Sequence, residues 1–250
     1  MRGLVVVNKP DRKPNLAERL HLWLSKGRKI DGLWVGSWED KPYPALRRVE
    51  EALQLIKCCD PLNYARIIYN LDRVWVQLIP ASVAHYRFSL NACVIDERFV
   101  LDQTTTVERI ASTIVHEATH ARLEGWGVIY VEKDRSRIEA ICLRRELSFV
   151  ARLPESEPLR EQTAQAIEWY ANNRGDLSSA SFQQREDQGG IETLRYLNMP
   201  NWFVRFALWV IWRRRLRRFA VDNGGDPETS CDKTTRRATQ QKPVKPSRQK

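Results

Sequence analysis

The sequence predicts an α+β protein in which a small β-sheet precedes a central helix and further helices follow it. Helical spacing of apolar residues occurs before residue 60 and after residue 105, whereas residues 74–101 alternate in polarity. With 250 residues, of which 42% are hydrophobic, the chain can bury one good core or two small ones. The order of helices, a small sheet and then helices therefore predicts an α+β protein.

Two helices are predicted before the sheet. The first spans Asn15 to Lys26 with Gly27 behind it, and the second spans Pro44 to Cys59. Residues 74–78 and 84–91 alternate as strands do, and residues 93–101 predict a hairpin that leads into the central helix. A later helix is expected to end near Gly175.

The central helix has the strongest pattern in the chain. Thr104, Thr105 and Thr106 supply N-cap candidates. Apolar residues then recur at the i, i+3, i+4, i+7 spacing of an amphipathic helix: Val107, Ile110, Ala111, Ile114, Val115, Ala118 and Ala121.

This helix contains the sequence His116-Glu117-Ala118-Thr119-His120, an H-E-x-x-H motif. Two histidines four residues apart on a helix lie on one face, so both imidazoles can bind one Zn²⁺. Glu117 then lies beside a zinc-activated water and can accept its proton. Because the histidines lie about 180° from the apolar stripe, we expect Ser112 and Thr113 to leave space there for metal and substrate.

A catalytic zinc site needs a third protein ligand. Eighteen residues follow His120, and the next is Glu139, on a predicted helix that Asp134 can cap and Pro154 ends. Over about residues 105–145 the chain resembles the gluzincins, zinc peptidases with H-E-x-x-H, about eighteen residues and then a glutamate. The alternative for Glu139 is a solvated acid on a helix face.

The resemblance implies a zincin-like fold with a zinc ion on His116, His120 and Glu139, and with Glu117 as general base. It also implies that an edge strand of the sheet pairs with an extended peptide substrate. Many gluzincins carry an aspartate four residues after the third ligand, where this chain has Leu143, so the acid that orients a ligand histidine must come from elsewhere.

Two other zinc-site patterns fit less well. A metzincin would have glycine and histidine where this chain has Leu123 and Trp126. A His₂Cys site would need a cysteine such as Cys93, which the pattern favours as a small apolar strand residue. The group that stabilises the oxyanion stays open among three tyrosines, Tyr130, Tyr170 and Tyr196.

The cysteines and the N-terminus indicate a reducing compartment. Five cysteines are present, an odd number without a disulfide framework. Met1 to Pro10 has too short an apolar run for a secretory signal. We therefore expect a cytoplasmic protein, peripheral at the membrane if its C-terminal segment binds lipid.

The basic charge is concentrated at the C-terminus. The formal net charge is +10, of which residues 212–250 contribute +8. An eleven-residue apolar run, residues 202–212, contains Arg205 and is too short to cross a bilayer, for which about 20 residues are needed. Residues 201–220 could form a core helix with a solvated basic end, an interfacial helix on anionic lipid, or a nucleic-acid-binding arm. No nucleic-acid-binding motif supports the third interpretation.

These patterns predict one metallohydrolase domain, residues 1–220, followed by a disordered basic tail, residues 221–250. The domain would comprise N-terminal helices and sheet (1–104), metal-site helices (105–153) and C-terminal helices (154–220). The expected function is zinc-dependent hydrolysis of peptide or protein substrates. The alternatives are a catalytically inactive zinc-binding regulator and a membrane-surface protein that acts through its C-terminal helix.

Overall fold

A computed structural model of the chain describes residues 13–38, 44–172 and 177–222, with backbone alone at residue 212 and residues 214–222. The chain divides into two compact units, residues 1–200 and residues 201–250. The segment from Met1 to Pro10, Gly175 and the predicted tail beyond residue 222 lie outside the described residues.

Helices and strands alternate irregularly along the chain. In order, the elements are α1 (Leu16–Leu24), β1 (Lys26–Ile30), β2 (Leu33–Ser37), α2 (Pro44–Cys59), α3 (Pro61–Asn70), β3 (Arg73–Gln77), β4 (Ala84–Arg87), β5 (Ala92–Asp96), α4 (Glu97–Leu101), α5 (Val107–Gly125), α6 (Arg135–Val150), α7 (Glu157–Asn172), α8 (Ser179–Tyr196) and α9 (Asn201–Asp222).

The described strands form one mixed sheet in the order β1-β2-β3-β5-β4. The pairs β1–β2 and β4–β5 are antiparallel, whereas β2–β3 and β3–β5 are parallel. Thus β1 and β4 are the edges of the described sheet. The prediction of an α+β protein with a small sheet before the central helix is confirmed.

Several predicted helices occur where local signals place them. Helix α2 has the predicted limits, Pro44–Cys59. In α1, Asn15 is the N-cap and forms a reciprocal capping box with Glu18. In α5, the Thr106 side chain accepts a hydrogen bond from the Arg109 amide. Caps and apolar periodicity act within a few residues, which explains why these limits were predictable.

The predicted hairpin over residues 93–101 is wrong. The first part is strand β5, but Glu97–Leu101 forms the short helix α4. The reason is Asp96, whose carboxylate accepts a hydrogen bond of 2.7 Å from the Arg98 amide and so caps a helix rather than entering a turn. Strand β4 also ends earlier than predicted, because residues 88–90 form a 3-10 turn that ends at Asn91 with φ of 47°.

The β1–β2 hairpin and helix α3 were not predicted, although each carries a local signal. Asp31 and Gly32, with φ of 49° and 94°, form the two-residue turn that joins β1 to β2. Helix α3 begins with Pro61 in its first turn, behind Asp60, whose side chain accepts from the Asn63 amide. The sheet therefore begins before α2, earlier in the chain than predicted.

The main core lies between one face of the sheet and helices α2 and α5. Strand residues such as Val74 and Ile95 pack with Leu53 of α2 and Ile114 of α5, all of them buried. The apolar stripe of α5 thus fixes this helix against the sheet. Among the described residues, no helix combines the length and apolar character that a membrane crossing requires.

Candidate metal centre

Helices α5 and α6 bring the predicted ligands together. The stripe of α5 faces the sheet, so its histidine face is turned towards α6. A small apolar cluster of Leu123 from α5 with Ile138 and Cys142 from α6 holds the two helices together beside the histidines. Helix α6 begins directly after Asp134 as predicted, although the Asp134 side chain makes no capping bond.

The donor atoms of His116, His120 and Glu139 converge. His116 Nε2 lies 3.3 Å from His120 Nε2 and 3.2 Å from Glu139 Oε2, and His120 Nε2 lies 3.5 Å from Glu139 Oε1. A tetrahedral zinc with ligands at about 2.0 to 2.1 Å separates its donor atoms by about 3.3 to 3.4 Å. The two distances to Glu139 end on its two different oxygens, and each of the three separations is close to the donor spacing of a tetrahedral site. The three side chains therefore surround one point, and Glu139 is buried rather than on the solvated face of its helix.

Cys142, one turn after Glu139, is a further donor that the sequence did not single out. Its Sγ and the ring nitrogens of His116 and His120 lie within 4.8 Å of one another, so these three residues could also hold a metal. Burial and the charges of Glu139 and Glu117 raise the pKa of the Cys142 thiol. A bound metal ion deprotonates a coordinating thiol, so this raised pKa does not separate the Cys142 thiol from the Glu139 carboxylate as a third ligand. Cys93 lies buried in β5, as expected for a strand residue.

Glu117 is buried between the histidines and the sheet edge. Its carboxylate accepts a hydrogen bond from the Tyr86 amide of β4. Burial raises the pKa of Glu117, although the neighbouring His116 and His120 act to lower it. A raised carboxylate pKa, nearer to neutral pH, suits a group that accepts and returns a proton.

Glu146 provides the acid that the sequence analysis could not locate. It lies two turns after Glu139 on α6, and its Oε2 is 3.1 Å from His116 Nδ1. Its other oxygen accepts a hydrogen bond of 3.0 Å from the Ser112 hydroxyl and lies 3.4 Å from a guanidinium nitrogen of Arg109. A carboxylate on the ring nitrogen that faces away from a metal fixes the tautomer and orientation of the ligand.

The space expected around Ser112 and Thr113 is absent. Ser112 is fully buried and Thr113 is 6% exposed. Both hydroxyls donate to the Arg109 carbonyl of the preceding turn, and Ser112 also bonds Glu146. These small residues allow α6 to approach α5 closely, so they serve helix packing.

The three tyrosines considered for stabilising the oxyanion have different surroundings. The Tyr130 hydroxyl donates to Glu139 Oε1 at 2.5 Å, and its ring meets the His120 ring edge-on at 5.5 Å between centroids. Burial and the charge of Glu139 raise the pKa of Tyr170 to about 12. Tyr196 packs instead under the guanidinium of Arg98, whose partner is Asp96.

Burial and hydrogen bonds shift the pKa values of His116 and Glu139 in opposite directions. Burial opposes the charged form of His116, but its hydrogen bonds to Glu139 and Glu146 outweigh burial and raise its pKa well above the ordinary value. Burial likewise acts to raise the pKa of Glu139, but bonds to both histidines lower it well below the ordinary value. The two carboxylates therefore favour the protonated form of His116.

Comparison of the chain with protein-family models, with curated proteins and with solved structures gives no match. The function must therefore be argued from the residues of this site.

Proposed function

We propose that this protein is a zinc-dependent hydrolase of the gluzincin type that cleaves peptide bonds. The observation that carries the proposal is the set of donor separations, 3.2, 3.3 and 3.5 Å, among His116, His120 and Glu139. In this proposal these residues are the zinc ligands, and Cys142 is a buried thiol beside them.

The donor set is suited to zinc. Two imidazoles and one carboxylate are the ligands of a common class of catalytic zinc site, which leaves one position for water or substrate. The ligand side chains are 14%, 13% and 9% exposed, so the site is largely shielded from solvent but not sealed. Zinc, when bound, supplies Lewis acidity that lowers the pKa of a water molecule and polarises a carbonyl.

The protein groups perform the proton transfers. The Glu117 carboxylate accepts the proton of the attacking water and then delivers it to the leaving amine. The Tyr86 amide of β4 holds that carboxylate in place. Tyr130 donates its hydroxyl proton to Glu139 and holds that carboxylate, so it would stabilise an oxyanion only after releasing Glu139.

A peptide is the favoured substrate because β4 lies beside α5 at an edge of the described sheet. An extended chain can add to such an edge through main-chain hydrogen bonds. The Asp96 amide donates a hydrogen bond to the Val83 carbonyl, so Val83 and Asp96 are a hydrogen-bonded pair. In an antiparallel pair such positions alternate, and the amide and carbonyl of the next residue, Ala84, therefore point away from β5. That orientation suits a peptide laid along the outer side of β4.

The test compares metal content and hydrolysis in three variants of the full chain. Glu117→Gln should keep one zinc per chain and lose hydrolysis of a peptide library by about 10²- to 10⁴-fold. His120→Ala should lose both zinc and hydrolysis. Glu108→Gln, in the first turn of the same helix, is the matched control and should keep both.

Other outcomes select the alternatives. Bound zinc without hydrolysis in the unaltered protein would indicate a zinc-binding regulator instead of an enzyme. Equal loss of zinc from Glu117→Gln and His120→Ala would contradict the division between base and ligand. Absence of zinc from the purified unaltered protein after zinc loading would refute the proposal altogether.

A further inference from the structure

Helix α9 presents an exposed aromatic stripe that the proposed chemistry does not use. Trp202, Phe206 and Trp209 are 69%, 52% and 46% exposed. Their i, i+4, i+7 spacing puts them on one face of the helix, while Val204, about 160° away, is buried. Three large aromatic side chains in a row on a surface indicate a binding site.

Positive charge accompanies this stripe. Residues 202–221 contain six arginines and no acidic residue. Arg213 continues the stripe one turn beyond Trp209, and its guanidinium lies over the Trp209 ring at 5.2 Å. A surface that is both aromatic and cationic is complementary to one that is both apolar and anionic.

We propose that α9 docks this protein on an anionic lipid bilayer, with the helix axis in the plane of the interface. Tryptophan and phenylalanine would enter the boundary between headgroups and acyl chains. Arg205 and Arg213, both exposed, would contact anionic headgroups.

Ring geometry favours lipid over single-stranded nucleic acid. Nucleic-acid binding needs free ring faces on which bases can stack. Here the Phe206 and Trp209 rings are stacked on each other, with centroids 5.9 Å apart and planes 28° apart, and Arg213 covers Trp209 as well.

The test measures binding of the full-length protein to vesicles by co-sedimentation. Vesicles of phosphatidylcholine alone are compared with vesicles that also contain phosphatidylglycerol, at low and at high salt. The intact protein should bind the anionic vesicles at least about tenfold more tightly, and high salt should reduce that binding. Zinc content is measured in parallel and should not change.

Two variants separate the aromatic and cationic contributions. The double variant Trp202→Ser/Phe206→Ser should weaken binding to anionic vesicles by about tenfold or more. Arg205→Gln/Arg213→Gln removes two of the six arginines of residues 202–221 and should weaken binding to anionic vesicles at low salt by about tenfold, with a smaller loss at high salt. Trp23→Ser is the matched control, because Trp23 is an exposed tryptophan, 76% accessible, on the different helix α1, and it should bind as the intact protein does.

Thermal unfolding of each variant shows whether it is folded. Failure of the intact protein to bind anionic vesicles at low salt would overturn the proposal. So would an equal loss of binding in Trp23→Ser, or tight binding of single-stranded DNA without vesicle binding. Unfolding of the Trp202→Ser/Phe206→Ser variant, with vesicle binding unaffected in the arginine variant, would instead support a core helix and also overturn it.

Discussion

The prediction that probes the site most directly concerns Glu146, which we expect to hold His116 in its metal-binding orientation. Zinc on His116 Nε2 requires the proton on Nδ1, and that proton can be donated to Glu146 Oε2, 3.1 Å away. Glu146→Gln keeps the size of the side chain but removes its charge. It leaves one acceptor oxygen for His116 and turns an NH₂ group towards the donors Ser112 and Arg109.

The expected loss of zinc affinity follows from the role of a carboxylate that orients a ligand histidine. Loss of a partner that orients a ligand histidine typically costs 10- to 100-fold in metal affinity, or about 1.4 to 2.7 kcal/mol. Glutamine can still accept one hydrogen bond, so we expect Glu146→Gln near the lower limit and Glu146→Ala near the upper. The carboxylate is 4% exposed, so solvent cannot replace the lost contact.

The assay is a competition titration with a chromophoric zinc chelator, accompanied by circular dichroism of the metal-free variants. Glu157→Gln is the matched control, because its side chain is 77% exposed and pairs with Arg160 at the surface of α7. This control should change the zinc dissociation constant by less than about twofold. Equal dissociation constants for Glu146→Gln and the control, with both proteins folded, would refute the assigned role of Glu146.

Four further expectations follow from the same geometry. Cys142→Ser should keep zinc affinity within about threefold whereas Glu139→Gln should lower it by about 100-fold or more, and the reverse order in the chelator titration would assign the thiol as ligand. Because the pKa of His116 is raised in the metal-free protein, zinc binding should release a proton and should weaken as pH falls; calorimetry in buffers of different ionisation enthalpy measures this release. In the metal-free protein, the contribution of His116 to the free energy of unfolding is fully present below about pH 6.5. It is lost as pH rises through the raised pKa. Tyr130→Phe removes the hydrogen bond to Glu139 and should weaken zinc binding by about tenfold, and unchanged affinity would limit Tyr130 to a role in catalysis. Ile114→Ala, at a fully buried position of α5, should lower the free energy of unfolding by about 2 to 5 kcal/mol in urea titration, and a loss below about 1 kcal/mol would contradict the packing of α5 on the sheet.

Much of the site could be predicted because its determinants are local. The i, i+4 relation of His116 and His120 is fixed by the helix itself, and the apolar stripe decides which face of α5 turns inward. Glu139 was found by its distance along the chain from His120. The wrong hairpin after β5 and the missed β1–β2 turn came from underweighting equally local signals, the Asp96 cap and the Asp31-Gly32 dipeptide.

Other features depend on contacts between residues far apart in sequence. Glu146 meets His116 across thirty positions, and only the packing of α6 against α5 creates that contact. The same packing brings the Cys142 thiol near the histidines and buries Ser112, which the sequence alone favoured as open space. Side-chain periodicity gives the direction of a residue around its own helix, but not the neighbour that it will face.

The sequence by itself determined the α+β class, the limits of α2, the motif on α5 and the concentration of positive charge near the C-terminus. Tertiary structure alone decided the strand order, with two parallel pairings between distant segments, and the position of β4 at the edge beside Glu117. It also decided which aromatic residues of α9 are exposed. Hydrogen bonds, caps and periodicity within one element act over a few residues, whereas burial and strand pairing depend on the whole chain at once.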